Sequence, residues 1–343
     1  MFSGIPPAVP EKRNKHNSAD RSHMLHSIVS EDMTSLLVLG GILFAFGATV
    51  FATGGFCKYL PRDAGREFAH DGNLSAGKPT GAGLIFVAAF LASAVLFAPL
   101  TVENIIYLIL IVISMVTGFL DDASSTPWGR FRKGFLDLCV AGMVAMTFLR
   151  YNSSTIELAF LHTELVLPRC LFAALAVILV WTSVNVTNCS DGVDGLSGTL
   201  TIITLMTIYA AGRILEAGQD FAFLILLFAV CILGYLWYNA APSRLLMGDA
   251  GSRAMGLFIS IAVLKTGSPL LYVPAALMLI LDGGLGLVKV SLIYIARIHI
   301  MKHVRTPLHD HVRKVRGWSN TQTVYRFAII QIILAAAVIY GIG

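Results

Sequence analysis

The feature that most constrains this chain is a succession of apolar runs too long and too numerous for a water-soluble fold to bury. Ten such runs cover residues 34–56, 80–99, 104–120, 134–150, 170–187, 196–212, 220–238, 253–269, 270–296 and 324–342. Roughly 20 mostly apolar residues are needed to cross the hydrocarbon of a bilayer as a helix. None of the runs alternates with period two and all exceed strand length, so they predict helices and not a barrel. The composition agrees: 56% of residues are hydrophobic and 13% charged, with a mean hydropathy of +0.75, whereas a soluble domain carries about 25% charge. The expectation is an all-α integral membrane protein of about ten transmembrane helices. The ninth run is long and interrupted by LDGGLG at 281–286, which predicts a bent or broken helix.

Charge sets the orientation. Most loop Lys and Arg follow odd-numbered runs, among them Lys58, Arg62, Arg132, Lys133, Arg297, Arg305 and Arg313. By the positive-inside rule those loops face the cytoplasm, and both termini of a ten-span chain lie outside. Lys12, Arg13, Lys15 and Arg21 of the N-terminal tail run against this bias without reversing it. The tail, residues 1–33, is polar, proline-punctuated and lacks the apolar core of a signal peptide, so disorder is expected there. Residues 34–343 read as one polytopic membrane domain. Five scattered cysteines without a CxxC pair imply neither a disulfide framework nor a zinc site.

The acidic residues gather on the side assigned to the cytoplasm. The third run ends in GFLDD (Asp121, Asp122), the fifth in NVTNCSDGVDG (Asn185, Asn188, Asp191, Asp194), and the seventh in WYNAAPSRLLMGDAGS (Asn239, Asp249). The ninth leads into HVRTPLHDHVRKVRGW, with His309, Asp310 and His311. A single Asp at a helix end is usually a cap or a solvated loop residue, and DG is also an ordinary turn. Four such elements on one membrane face, with Lys133, Arg244, Arg253 and Arg305 nearby, point instead to a functional site. Carboxylates and amide oxygens suit a hard cation such as Mg²⁺, which takes few protein ligands and leaves positions for phosphate oxygens. Lysines and helix N-termini attract a diphosphate, and the glycines of DGVDGLSG let backbone N–H groups approach a ligand. That combination at a bilayer edge suits phosphoryl transfer to a lipid phosphate.

These motifs resemble those of the polyprenyl-phosphate N-acetylhexosamine-1-phosphate transferases, most closely the phospho-N-acetylmuramoyl-pentapeptide branch. The matching segments are AGKPTGAG (76–83), GFLDDASS (118–125), NCSDGVDGL (188–196), Asn239 with GDAGS (248–252), and TPLHDHVRKVRGW (306–318). The resemblance runs from about residue 58 to the C-terminus. It implies transfer of phospho-MurNAc-pentapeptide from UDP-MurNAc-pentapeptide to undecaprenyl phosphate, with Mg²⁺ as cofactor and UMP as by-product. Carried over by position, Asp249 is the main metal ligand, with Asp121 and Asp122 beside it. Asn188, Asp191, Gly192 and Asp194 line the nucleotide pocket, Asp194 and the residue at Leu246 facing uracil. Lys133, Thr80 and Asn239 serve the diphosphate, and His309 and His311 sit over the substrate in a lid loop.

The chain departs from the family pattern at four places. Its histidine triplet reads HDH, the lysine after DD is lost in ASS, Ser75 replaces a lysine, and Leu246 replaces an aromatic residue. The resemblance further implies a bacterial inner-membrane enzyme with a cytoplasmic active site, embedded in membrane lipid, and suggests a homodimer; no nucleic-acid partner is expected. A GlcNAc-1-phosphate transferase of the same superfamily stays open, as does, more distantly, a secondary transporter. Asp282 and Lys289, seven apart in the ninth run, would share a face if that helix were continuous. They would then face a cavity or snorkel.

Overall fold

A computed structural model describes residues 34–63, 65, 75–124, 126, 128–297 and 304–343. The disorder expected for residues 1–33 lies outside the described residues. Each apolar run folds as helix: α1 (Thr34–Phe56), α2 (Gly83–Phe97), α3 (Val102–Asp122), α4 (Arg130–Tyr151), α5 (Arg169–Cys189), α6 (Leu196–Ile214), α7 (Gln219–Asn239) and α8 (Gly248–Lys265). The ninth run breaks into α9 (Tyr272–Ala275), α10 (Leu277–Leu279), a π-helical turn (Ile280–Gly284) and α11 (Leu285–Ala296). A short amphipathic α12 (Leu308–Arg316) precedes α13 (Asn320–Ile342). Among the described residues, seven segments are long and apolar enough to cross a membrane, in α1, α3, α4, α5, α7, α10–α11 and α13. Helix α2 is shorter at 15 residues, and α8 carries charges at both ends.

Among the described residues, one hairpin departs from the helical pattern. Between α4 and α5, strands β1 (Thr155–Leu158) and β2 (Thr163–Val166) pair antiparallel, Thr155 opposite Val166. The hairpin is anchored to the far end of α8, where Glu157 N–H donates to Gly267 O at 2.9 Å and Ser268 Oγ to Glu157 O at 2.6 Å.

Helix α8 is the central post. Nearly every residue from Gly248 to Leu264 is buried, and α3 and α5 are its principal neighbours. Backbones touch where α3 crosses it: a Cβ on Gly118 would fall 2.5 Å from the Asp249 carbonyl. No side chain fits there, so glycine sets how deeply α3 seats beside the first turn of α8. Further along, Phe90, Phe228 and Phe258 stack between α2, α7 and α8 with centroids 4.2–5.4 Å apart. These rings are fully buried and contribute both apolar area and edge-to-face contacts.

The two ends of α8 carry opposite charges, Asp249 in the first turn and Lys265 in the last, which complements the helix dipole. Lys265 Nζ lies 2.8 Å from Glu103 Oε2 and 3.1 Å from Asp220 Oδ2. Tyr107 Oη and Asn152 Nδ2 donate to the other Glu103 oxygen at 2.8 and 2.7 Å. This network ties α3, α4 and α7 together at the end opposite Asp249.

Candidate active site

At the Asp249 end, α3 closes on α8. Asp122, the last residue of α3, accepts from Asp249 N–H (2.9 Å, Oδ1) and Ala250 N–H (3.0 Å, Oδ2). The first N–H groups of a helix lack intrahelical partners, and a carboxylate is the favourable acceptor at that positive end. Gly248 makes the approach possible: it has φ +68°, and a Cβ there would lie 2.2 Å from Asp122 Oδ2. Asp122 is thereby engaged with the start of α8.

Asp121 is buried and accepts from Trp128 N–H through Oδ1 at 2.7 Å. Its Oδ2 forms an ion pair with Lys133 of α4. The same ammonium lies 3.0 Å from Asp249 Oδ2, and Asn188 of α5 donates to Asp249 Oδ1 at 2.9 Å and to Ser252 Oγ at 2.9 Å. Four helices thus deliver Asp121, Lys133, Asn188 and Asp249 to one point. Lys133 and Asp249 keep side-chain exposures of 31% and 18%, so the point is open to water.

This donor set fits a hard divalent cation. Asp121 and Asp249 both turn Oδ2 to the spot where the Lys133 ammonium stands, and Mg²⁺ characteristically takes one or two carboxylates with water and substrate oxygens. Among the described residues no group of three His, Cys, Asp or Glu side chains surrounds a common point.

The neighbouring loops are stitched together by backbone. Asp194 Oδ2 accepts from Ser243 N–H at 3.0 Å and lies 3.9 Å from Lys78 Nζ, which donates to Ser243 Oγ at 2.9 Å. Asn239 is buried; it accepts from Gly195 N–H at 2.9 Å and donates to Leu245 O at 2.8 Å. Both ends of its amide hold loops in register. Half-buried Leu246 donates from N–H to Pro79 O at 2.8 Å and accepts from Ala82 N–H at 3.1 Å. Thr80, between those partners, is buried and donates its N–H to Pro61 O at 2.9 Å. Asp191, half-buried, follows Asn188 on the same turn, its N–H 3.2 Å from Asn188 O.

The HDH segment opens α12, and its three members diverge. His309 is buried and rests on the DGVDG turn: a Cβ on Gly192 would lie 2.3 Å from His309 Nε2. Its other ring nitrogen, Nδ1, lies 2.9 Å from Asp282 Oδ2. Asp310 turns to Arg313 (3.7 Å) and Arg305 (4.0 Å), and His311 Nδ1 accepts from Arg305 N–H at 3.3 Å. Of the two histidines, His309 is the one in contact with the turn that follows Asn188. Lys289 Nζ donates to Val304 O at 2.8 Å, so Asp282 and Lys289 serve different segments.

Two acids adjoin the site that sequence reasoning did not assign to it, Asp282 of the π-helical turn and Asp137 of α4. The signal for Asp282 was a carboxylate inside an apolar run; for Asp137 it was a place one helical turn after Lys133.

Carboxylates, a lysine and an amide thus converge at one end of an apolar helical bundle, and residues 104–267 match the model of glycosyl transferase family 4, which sets the chain among the transferases. The chain belongs to the phospho-N-acetylmuramoyl-pentapeptide-transferase family. It is 36% identical over 317 residues to the phospho-N-acetylmuramoyl-pentapeptide-transferase of Treponema pallidum (strain Nichols), covering 87% of this chain and 86% of that protein. The proteins of the same name from Brachyspira hyodysenteriae (30% identity; 83% and 88% covered) and Bartonella quintana (26%; 90% and 92%) are similar along most of their length.

Proposed function

We propose that the protein transfers phospho-N-acetylmuramoyl-pentapeptide from UDP-MurNAc-pentapeptide to undecaprenyl phosphate, at the cytoplasmic face of a bacterial inner membrane. The observation that carries this reading is the Lys133 ammonium held between Asp121 and Asp249 at the start of α8. A cationic point flanked by carboxylates, on a helix N-terminus open to water, suits a diphosphate met by a lipid-anchored acceptor.

In the reaction an acceptor oxygen of the lipid phosphate forms a bond to the β-phosphorus, and the bond from that phosphorus to the bridging oxygen breaks. The electron pair leaves with UMP. A phosphomonoester has its second pKa near 6, so the acceptor is already largely dianionic at neutral pH and needs orientation more than deprotonation. Asp121 supplies that orientation through the Lys133 ammonium it pairs with, the same ammonium balances the charge of the diphosphate, and Asn188 fixes the Asp249 carboxylate. Mg²⁺, held by Asp249 and Asp121 with Asp122 setting the helix start behind them, would neutralise charge on the phosphoryl oxygens. His309, seated on Gly192, closes the site from the α12 side.

The test uses purified protein, undecaprenyl phosphate, and either UDP-MurNAc-pentapeptide or UDP-GlcNAc, with and without Mg²⁺, following UMP release. Metal-dependent turnover of the muramoyl substrate is expected. Transfer from UDP-GlcNAc alone would move the protein to the GlcNAc-1-phosphate branch, and absence of UMP release would favour the transporter.

A further inference from the structure

One helical turn deeper than the Lys133–Asn188–Asp249 cluster, the same three helices repeat the arrangement with the charges exchanged. Asp137 follows Lys133 by four residues on α4, Asn185 precedes Asn188 by three on α5, and Arg253 follows Asp249 by four on α8. Such spacings put each residue directly below its counterpart on the same helix face. The acid and the base have traded helices. Arg253 Nε donates to Asp137 Oδ1 at 3.2 Å, and Nη2 pairs with the same oxygen. Asn185 Nδ2 donates to Trp181 O at 2.8 Å and reaches within 3.5 Å of Asp137 Oδ2. The upper layer is open to water, whereas Arg253 and Asp137 have side-chain exposures of 3% and 5%.

Stability does not account for this lower layer. Desolvating two charges costs several kcal/mol per ion before their attraction returns it, and well-packed apolar residues commonly replace such a pair without loss. Here the cost is higher still, because Arg253 Nη1 is buried with no hydrogen-bond partner. What a guanidinium with Nε and Nη2 both aimed at one buried carboxylate oxygen provides that apolar packing does not is a fixed line of approach between the two helices. We infer that Asp137 and Arg253 are positioning residues: their pair locks the rotation of α4 against α8, so that Lys133 faces Asp249 and Asp121. The inference rests on the transfer reaction proposed above for its effect on rate, but not for its geometry.

The experiment replaces both partners by apolar residues of similar size, Asp137→Leu with Arg253→Met, in purified full-length protein. Three quantities are compared with wild type: the unfolding temperature, the steady-state constants, and the rate at which acetic anhydride acetylates Lys133, read by mass spectrometry. The unfolding temperature should stay within about 5 °C, since apolar replacement of a buried pair is often neutral. Lys133, released from its carboxylates, should acetylate about fivefold faster or more, and kcat should fall about tenfold or more, as displacing a positioned group does. KM for the sugar nucleotide should rise by a smaller factor than kcat falls, because the pair itself touches no substrate and acts only through Lys133. A folded double variant with wild-type acetylation of Lys133 overturns the inference. If the double variant does not fold, Arg253→Lys decides: it keeps the charge and loses the fork. Acetylation and kcat both within about twofold of wild type would then overturn the inference, whereas faster acetylation upholds it. Faster acetylation in a protein whose wild type turns over no sugar nucleotide would refute the proposed reaction and leave the clamp standing.

Discussion

His309 Nδ1 lies 2.9 Å from Asp282 Oδ2, and the backbone N–H of the same histidine donates to Asp282 Oδ1 at 2.7 Å. A fully buried carboxylate from the π-helical turn thus holds both the ring and the main chain at the start of α12. A carboxylate that accepts from the backbone N–H pairs naturally with an Nδ1–H tautomer of the ring, whose Nε2 is directed at Gly192. Asp282→Asn keeps the shape and allows an amide N–H to face Nδ1, which reverses the tautomer. The expected result is a kcat about tenfold lower or more, with the unfolding temperature nearly kept because the amide oxygen still accepts from the backbone. A kcat equal to wild type would refute the assignment.

Gly192→Ala tests the same contact from the other side. Its Cβ would fall 2.3 Å from His309 Nε2, forcing ring or turn to move, and overpacking of this kind costs about 1–3 kcal/mol where neighbours cannot yield. Because α12 is only nine residues long and its C-terminal end is exposed, the displacement should appear as lost turnover, with little change in the thermal transition. Parallel kinetics and melting curves settle it.

Asp249→Ala and Asp121→Asn should each lower turnover at least about a hundredfold, the scale associated with removing one electrostatic stabiliser from an active site. Both should remain folded. Lys133 keeps one carboxylate partner in either variant, and Asp122 still caps α8 through backbone N–H groups. UMP release and thermal unfolding, measured on the same preparations, separate the two effects. A variant that turns over normally removes its residue from the site.

Lys265→Met should do the reverse. It leaves Glu103, buried, and Asp220, half-exposed, without their ammonium at the end of α8 far from the chemistry. Breaking a buried pair by deleting one partner costs about 3–5 kcal/mol. The unfolding temperature should drop by several degrees while KM and the rate per folded molecule stay as in wild type.

Much of the fold was legible because burial in a bilayer leaves a plain mark: each apolar run is a helix, and LDGGLG coincides with the π-helical break. The small hairpin over 155–166 was not, since TIEL and TELV are too short to show alternation and lie in what reads as a loop. Within the site, Asp121, Asn188 and Asp249 stood out as polar residues where apolar runs stop. Asp122 stood out equally, yet in the fold its oxygens serve the backbone of α8. Asn239 is similar, its amide consumed by two loops. Asp137 offered only its spacing from Lys133, for the opposite reason. It sits inside the run 134–150, where pairing with Arg253 depends on how α4 and α8 rotate against each other, and rotation is not written in either segment alone.

Helix α8 is enclosed along nearly its whole length, backbone against backbone at Gly118 and bolted by ions at its far end. An anvil of that kind does not travel during a catalytic cycle. The periphery is built differently: the segmented ninth helix and α12 meet at Asp282 and His309. The bundle thus sets an enclosed, charge-bearing post against a segmented rim that meets it through one carboxylate and one imidazole.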